Sequence, residues 1–239
     1  MTEAALFDLM SWMSPAWPIG GFAHSGGLEW AVEDGHITDR RSAADWIATL
    51  LDQGPLHNDI VLFVHAWRAA DAGDAERLRE VANLALAAQT GAERRIEATA
   101  QGAAFRKIAV ASINPPRTPL GEGWSYASLL AAIDDDELCY PIAAAALFAC
   151  QGIALRPALT AWVHGAVSNL ISAALRLVPL GQTDGQLLLR QLRVPILATV
   201  EGALDLPNDD PFAALGGCAL LAEIGCMAHE TQYTRLFRT

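Results

Sequence analysis

The side chains able to bind a metal or act in catalysis are few and widely spaced in this 239-residue sequence. His57 and His65 lie two helical turns apart with Asp59 between them, so a helix would place them on one face. Cys226 and His229, three residues apart, could bind a soft divalent cation. Each set lacks the three or four converging ligands that a metal site needs. We therefore interpret the first as interfacial or core-edge histidines and the second as a plain helix face, and predict neither a metal site nor a catalytic residue.

The glycine-rich segments lack the residues that nucleotide hydrolysis requires. Gly20-Gly21 and Gly26-Gly27 have neither the lysine nor the following hydroxyl of a phosphate-binding loop. The short motifs of zinc peptidases, serine hydrolases and dinucleotide-binding proteins are also absent in a usable context. An enzyme with an unrecognised helical active site is one alternative. A helical regulator that binds a small molecule is another.

The composition indicates extensive apolar contacts and argues against nucleic-acid binding. Hydrophobic residues make up 52% of the chain and charged residues 18%, which is more apolar than an average soluble domain. The formal net charge of −11 repels phosphate backbones, so we expect no nucleic-acid partner. The four cysteines form no CxxC pair and have apolar neighbours. Buried free thiols are therefore expected.

The sequence predicts neither a secretory signal nor a membrane span. The first twenty residues include two acidic residues and two prolines rather than a basic stretch. The apolar run Ile142–Cys150 is too short to cross a bilayer, and polar residues interrupt the run Ala158–Leu180. We therefore expect a soluble cytoplasmic protein without membrane contact.

Apolar residues recur at helical spacing along nearly the whole chain, as at Leu56, Ile60 and Phe63. The only strand candidates, Leu187–Leu189 and Val194–Val200, fit a helix better. No repeat of fixed period is visible. The sequence predicts a single all-α domain of about ten helices that spans residues 1–239.

Prolines mark several boundaries in this pattern. The proline-containing segment 114–123 is predicted to be irregular, followed by a helix from Trp124 to Ile133. Pro195 is expected to kink or split the helix that contains it. Pro211 is expected to open the last long helix. The apolar stripe predicted for that helix includes Leu220, Ile224 and Met227.

Two segments between helices have residues that a simple connection would not require. Pro15–Glu29 is a rigid Pro/Gly loop that opens into a helix at Ser25. It is either a tight connection between two helices or a preorganised, partly apolar docking surface. Trp12 and Trp17 flank its prolines and are candidate interface residues. Val178–Gln186 connects two helices. The polar fork expected there consists of Arg176, Gln182, Asp184 and Gln186.

The C-terminal segment His229–Thr239 combines basic and apolar residues in an otherwise acidic chain. Arg235 and Arg238 alternate with large apolar or aromatic side chains, including Phe237. A frayed end would gain nothing from such side chains, whereas a tail that folds on a partner would bury them. We therefore expect a tail, about residues 230–239, that orders only on partner binding.

These three segments, in this order, resemble the urease accessory protein F family. The N-terminal segment SPAWPIGGFAHSGGLEWAVEDGHI resembles the first family motif. The segments VPLGQTDGQ and ETQYTRLFRT resemble the central motif and the C-terminal end. The similarity spans the whole chain.

The resemblance implies an all-α assembly protein for urease maturation rather than an enzyme. Family members dimerise and bind the accessory protein UreD, called UreH in some systems. The pair recruits the nickel-carrying GTPase UreG and loads nickel into apo-urease. The resemblance therefore implies that partners handle nickel and GTP, and that this chain has no cofactor of its own.

The resemblance also assigns candidate residues to each contact. The GTPase-facing candidates are Arg176, Gln182, Asp184 and Gln186. The UreD-binding candidates are Tyr233, Arg235, Leu236 and Phe237. The candidates for the homodimer contact are Ile19, Phe22 and His24.

Overall fold

The computed structural model describes residues 1–113 and 125–239, and this part of the chain is all-α, as predicted. The predicted irregular segment 114–123 and Trp124 lie outside the described residues. No strand occurs among the described residues. The eleven α-helices found there are α1 (Glu3–Trp12), α2 (Leu28–Glu33), α3 (Arg40–Gln53), α4 (Pro55–Asp71), α5 (Ala75–Ala87), α6 (Ala92–Ser112), α7 (Tyr126–Leu129), α8 (Tyr140–Cys150), α9 (Leu155–Leu177), α10 (Gln182–Leu204) and α11 (Leu220–His229).

Helix α8 forms the centre of the fold. Every one of its residues is buried, and α4, α6 and α9 pack around it. Its sequence YPIAAAALFAC begins with a proline in the first turn, where a missing N–H costs nothing. The run of alanines keeps the helix narrow, so three neighbouring helices can approach it closely.

An aromatic cluster joins α1 to this core. Trp12 stacks on Phe148 with ring centroids 5.5 Å apart, and Phe63 contacts both Phe148 and Trp162. Trp12 is 5% exposed, so its interpretation as an interface residue is wrong. The helical spacing that carries Leu9 to the core also carries Trp12.

Helices α9 and α10 form an antiparallel pair against α3 and α4. Pro195 does not split α10. A buried stripe on α10, one residue in every four, holds the helix together on both sides of the proline. That stripe is Leu188, Leu192, Ile196 and Val200.

Among the described residues, α9 is the one helix long and apolar enough to cross a membrane by composition alone. It packs against α2, α4, α8 and α10. A core helix of a folded domain passes the same test, so this is weak evidence for a span.

The fold brings the first and the third of the singled-out segments into contact. The Pro/Gly loop connects α1 to α2 and includes a 3₁₀ turn at Gly21–Ala23. The second segment is the turn between α9 and α10. The tail follows α11, which packs mainly against α2. The last long helix begins at Leu220 rather than at Pro211, which opens only a 3₁₀ turn.

Candidate functional site

The C-terminal tail lies directly against the Pro/Gly loop. The backbone N–H of Ser25 donates to the carbonyl oxygen of Thr239 at 2.6 Å, and the N–H of Arg238 donates to that of Ala23 at 2.8 Å. The buried His24 adds a hydrogen bond between its Nδ1 and Thr239 Oγ1 at 2.5 Å, across 215 residues of sequence. Loop and tail therefore form one continuous surface. The expectation that the tail orders only on a partner stays a prediction.

Glu29, in the first turn of α2, holds the tail through its carboxylate. Oε1 accepts a hydrogen bond from the Leu236 N–H at 2.5 Å, and Oε2 accepts one from the Phe237 N–H at 2.9 Å. His229 Nε2 lies 3.0 Å from the same Oε2. Burial raises the pKa of the Glu29 carboxyl, but these hydrogen bonds outweigh burial and leave the pKa below its ordinary value. Glu29 is therefore an anion at neutral pH, and the tail backbone is bound to it.

His229 joins this carboxylate to a second one. Its ring is fully buried, and its Nδ1 lies 2.6 Å from Glu93 Oε2 on α6. Arg235 Nη1 donates to Glu93 Oε1 at 2.8 Å. Both ring nitrogens of His229 thus lie within hydrogen-bond distance of a carboxyl group, one on α2 and one on α6. We call Glu29, Glu93, His229 and Arg235 the tail network.

The tail network corrects the interpretation of Cys226 and His229 as a plain helix face. His229 connects α11 to α2 and α6. Its partners lie 200 and 136 residues away in sequence. No local pattern could have indicated them, because the spacing rules of a helix reach only three or four residues.

Arg176, near the end of α9, connects the dimer candidate Phe22 to the tail candidate Phe237. Its guanidinium carbon lies 3.6 Å from the centroid of the Phe22 ring and 4.1 Å from that of the Phe237 ring. Its Nη1 donates to the Phe22 carbonyl oxygen at 2.8 Å. Burial lowers the pKa of Arg176, which stays a cation. These contacts place Arg176 with the loop and tail, and its role toward a GTPase stays a prediction.

The other three GTPase-facing candidates form a separate polar turn at the start of α10. Gln182 and Gln186 are exposed. Asp184 accepts a hydrogen bond from the Gly181 N–H at 3.1 Å and thereby caps the helix. It also lies 3.4 Å from Arg40 Nη1, at the start of α3. The turn thus leaves two amide side chains free for a partner.

The three dimer candidates differ in exposure. Phe22 is 66% exposed, whereas Ile19 is half-buried and His24 is buried. Burial lowers the pKa of His24, so its imidazole is neutral where it contacts Thr239. Phe22 is the only one of the three with a large free surface. Dimerisation through these residues stays a prediction.

The tail presents two of its four candidate side chains to solvent. Tyr233 is fully exposed and Leu236 is 64% exposed, whereas Phe237 is buried. Arg235 is partly exposed and bound to Glu93. Glu29 therefore holds the tail backbone and the Phe237 side chain is buried, while Tyr233 and Leu236 remain exposed to solvent.

The large apolar residues of α11 face outward, contrary to their prediction as a core stripe. Leu220, Ile224 and Met227 are all well exposed. The helix instead packs through its small residues. A Cβ on Gly225 would lie 2.6 Å from Trp30 Cε3, and a Cβ on Gly27 would lie 2.8 Å from Cys226 Sγ. The helices approach too closely for larger side chains. In the sequence, the small residues at positions 222, 225 and 226 indicate which face of α11 packs closely against its neighbours.

The sulfur and imidazole groups outside the tail network are poorly placed for chemistry. Burial raises the pKa of the Cys226 thiol to about 12, and burial together with nearby Arg68 lowers the pKa of His65 to about 4. Cys218 is exposed, so the expectation of four buried thiols is wrong for this one. Within residues 1–113 and 125–239, no three His, Cys, Asp or Glu side chains form a candidate metal site.

Known proteins resemble this chain over its whole length. The UreF family model matches residues 37–193. The urease accessory protein UreF of Bradyrhizobium diazoefficiens is 44% identical over 238 residues, which cover 99% of this chain and 92% of the relative. The protein of the same name from Rhodopseudomonas palustris is 43% identical, with coverage of 99% and 94%. The chain therefore belongs to the UreF family.

Proposed function

We propose that this chain is a urease accessory protein that acts in urease maturation by assembling other proteins. The names of its relatives support this role, because each is called a urease accessory protein. The observation that carries the proposal is the anchored tail. Buried Glu29 accepts hydrogen bonds from the Leu236 and Phe237 N–H groups, and Arg235 pairs with buried Glu93, while Tyr233 and Leu236 stay exposed. A preorganised apolar surface of this kind is suited to binding a protein partner.

In this proposal the tail binds UreD. Exposed Tyr233 and Leu236 supply the aromatic and apolar contacts that commonly dominate interface energy. The outward face of α11 enlarges the surface with Leu220, Ile224 and Met227. Exposed apolar groups at both places would lose contact with water when a partner covers them.

The Phe22 region provides the homodimer contact, and the polar turn at the start of α10 recruits the GTPase. Phe22, whose ring lies against the Arg176 guanidinium, provides the homodimer contact together with Ile19. The polar turn offers Gln182 and Gln186 to the GTPase UreG, and Asp184 keeps that turn in place. Arg176 stabilises these surfaces, because its guanidinium contacts both the Pro/Gly loop and the tail.

Assembly rather than catalysis is the activity of this chain. Nickel is the cargo of the complex and GTP is the substrate of UreG, so the chain itself needs no cofactor. The protonated, buried Cys226 thiol supports this reading, because a metal-binding or nucleophilic cysteine must be a thiolate.

Co-purification from a strain that expresses the chain with UreD, UreG and apo-urease tests the proposal. We expect a complex with UreD and UreG, and nickel-dependent urease activity only when the chain is present. Deletion of residues 233–239 should abolish the complex without unfolding the helices, as measured by circular dichroism. Urease activation of normal extent without the chain would overturn the proposal. Substrate turnover by the isolated chain would favour an enzyme, and operator binding would favour a regulator.

A further inference from the structure

The outward side of α10 carries a second apolar stripe, opposite the stripe that packs against α3, α4 and α9. Leu187 is 46% exposed, Val194 is 74% exposed and Leu197 is 39% exposed. These residues extend over about 15 Å of the helix axis. Surface helices normally carry polar residues opposite their buried stripe, so the outward stripe is suited to a partner that covers it.

Two unpaired cations accompany this stripe. Arg190 and Arg193 are exposed, and neither forms a hydrogen bond or ion pair with the part of the chain that the structure describes. The carboxylate at the start of the helix does not compensate them, because Asp184 is already paired with Arg40 at 3.4 Å. The name α10 face is used below for Leu187, Arg190, Arg193, Val194 and Leu197.

The charge of this part of α10 is opposite to that of the whole chain. Residues 185–200 include both free arginines and no acidic residue, although the chain has 27 acidic against 16 basic residues. The next acidic residue, Glu201, is paired with Arg156. Because complementary charges meet across interfaces, the surface that covers the α10 face should carry carboxylates beside apolar groups.

Two other occupants fit the α10 face less well. A two-fold contact between two copies of the chain, centred on Val194, would bring Arg190 and Arg193 of both copies together, and like charges oppose association. Lipid-binding clusters commonly hold about four to eight cations, and a chain with a net charge of −11 is repelled by anionic lipids. These comparisons favour an acidic protein surface.

The α10 face continues the polar turn without interruption. Helix α10 is continuous from Gln182 to Leu204. Gln186, Arg190 and Arg193 follow one another at spacings of four and three residues, so they lie on one side of this helix. A partner that contacts the amide of Gln186 is therefore one helical turn from Arg190 and two from Arg193.

We propose that the GTPase bound at the polar turn also covers the α10 face, with an acidic and partly apolar surface of its own. This inference rests on the GTPase recruitment proposed above. The apolar residues of the face supply contact area that loses water on binding. Arg190 and Arg193 attract carboxylates of the partner and fix its orientation along the helix.

The affinity of UreG for the complex of the full chain with UreD tests this surface. The double variant Arg190→Glu and Arg193→Glu reverses both charges at exposed positions, so circular dichroism should show an unchanged fold. Its dissociation constant for UreG should rise at least about tenfold, or 1.4 kcal/mol. Equal affinity of this variant and the unaltered chain would overturn the proposal.

A control separates the position of the charges from the net charge. The double variant Arg79→Glu and Lys107→Glu changes the net charge by the same amount, at exposed positions on α5 and α6. It should bind UreG as the unaltered chain does. Equal weakening by the two double variants would show an effect of net charge alone and would overturn the assignment to α10.

The apolar part of the face is tested by Leu187→Ser combined with Val194→Ser. Both residues are exposed, so the fold and the binding of UreD should be unchanged, while UreG should bind at least about tenfold more weakly, or 1.4 kcal/mol. Salt should weaken UreG binding to the unaltered chain more than to the charge-reversed variant, because salt screens exposed charges. Unchanged UreG affinity of the serine variant, or an equal salt dependence, would contradict the proposed contact.

Failure of this proposal can be told apart from failure of the proposed function. If the unaltered chain with UreD recruits no UreG, both fail. If Gln182→Ala with Gln186→Ala weakens recruitment but charge reversal at 190 and 193 does not, the α10 contact alone fails. Loss of the homodimer on charge reversal, or loss of binding to phosphatidylserine vesicles, with unchanged UreG affinity would assign the face to a second copy or to a membrane and would overturn the proposal.

Discussion

The tail and the polar turn at the start of α10 are both predicted partner sites, but they are built in opposite ways. The tail is fixed by the buried side chains Glu29, Glu93 and His229, together with Arg235, whose side chain is 39% exposed. The polar turn exposes Gln182 and Gln186, and only Asp184 connects it to a neighbouring helix. Substitutions in the tail network therefore disturb the fold and the binding surface together. Substitutions in the polar turn change the surface alone.

The largest effect is expected for His229→Ala. It would leave the buried carboxyl groups of Glu29 and Glu93 without the ring nitrogens that they contact, and each buried hydrogen-bonding group left unsatisfied costs about 1–3 kcal/mol of unfolding free energy. Urea denaturation measures the loss. His164→Ala is the control, because His164 is exposed on α9 and surface changes cost within about 0.5 kcal/mol. Similar losses for both variants would contradict the tail network.

The second-largest effect is expected from acidification, which should weaken the binding of the tail to the Pro/Gly loop and α2. The pKa of His24 lies below its ordinary 6.5, and that of Glu29 lies below 4.5. Both groups bind protons more readily when the tail is released, so anchoring is complete above pH 6.5 and is lost as the pH falls through the two lowered values. Hydrogen exchange at the Leu236 and Phe237 amides, corrected for intrinsic rates, measures this. The variant His24→Gln should lack the loss of protection that occurs as the pH falls through the pKa of His24. Protection of the two amides that does not change with pH would refute the account.

Arg176→Ala should have an intermediate effect. It removes two cation–π contacts worth about 0.5–2 kcal/mol each, together with the hydrogen bond to the Phe22 carbonyl. The sequence resemblance places Arg176 among the GTPase-facing candidates, so this change should weaken GTPase recruitment. Because Arg176 contacts Phe237, we now expect UreD binding to weaken as well. Unchanged UreD affinity, measured by interferometry, would show that Arg176 does not contribute to the UreD-binding surface of the tail.

The smallest effect on stability is expected for the double change Gln182→Ala and Gln186→Ala. Both side chains are exposed, so the unfolding free energy should change by no more than about 0.5 kcal/mol. Recruitment of UreG to the complex with UreD should nevertheless decrease. Thr183, exposed in the same turn, offers Thr183→Ala as a control. Normal recruitment by the double variant would remove the polar turn from the GTPase surface.

The sequence predicted the helical class, and its motifs identified the segments that meet at the tail. It did not predict which face of α11 is buried. Hydropathy favoured Leu220, Ile224 and Met227, but close approach to Trp30 selected the face that contains Gly225. Nor could it predict the tail network, since Glu29, Glu93 and His229 are joined only by tertiary packing. Local periodicity carries no information on such distant pairs.

The central claim is that the exposed side chains of the anchored tail bind UreD. The most direct test is the dissociation constant of UreD for the chain and for the double variant Tyr233→Ala and Leu236→Ala. Both residues are exposed, so the fold should be unchanged. Val194→Ala is the control, because Val194 is a 74% exposed apolar residue that lies on α10, outside the tail. We predict that the double variant weakens binding at least about tenfold, or 1.4 kcal/mol, and that the control does not. Equal affinity of the double variant and the unaltered chain would contradict the claim.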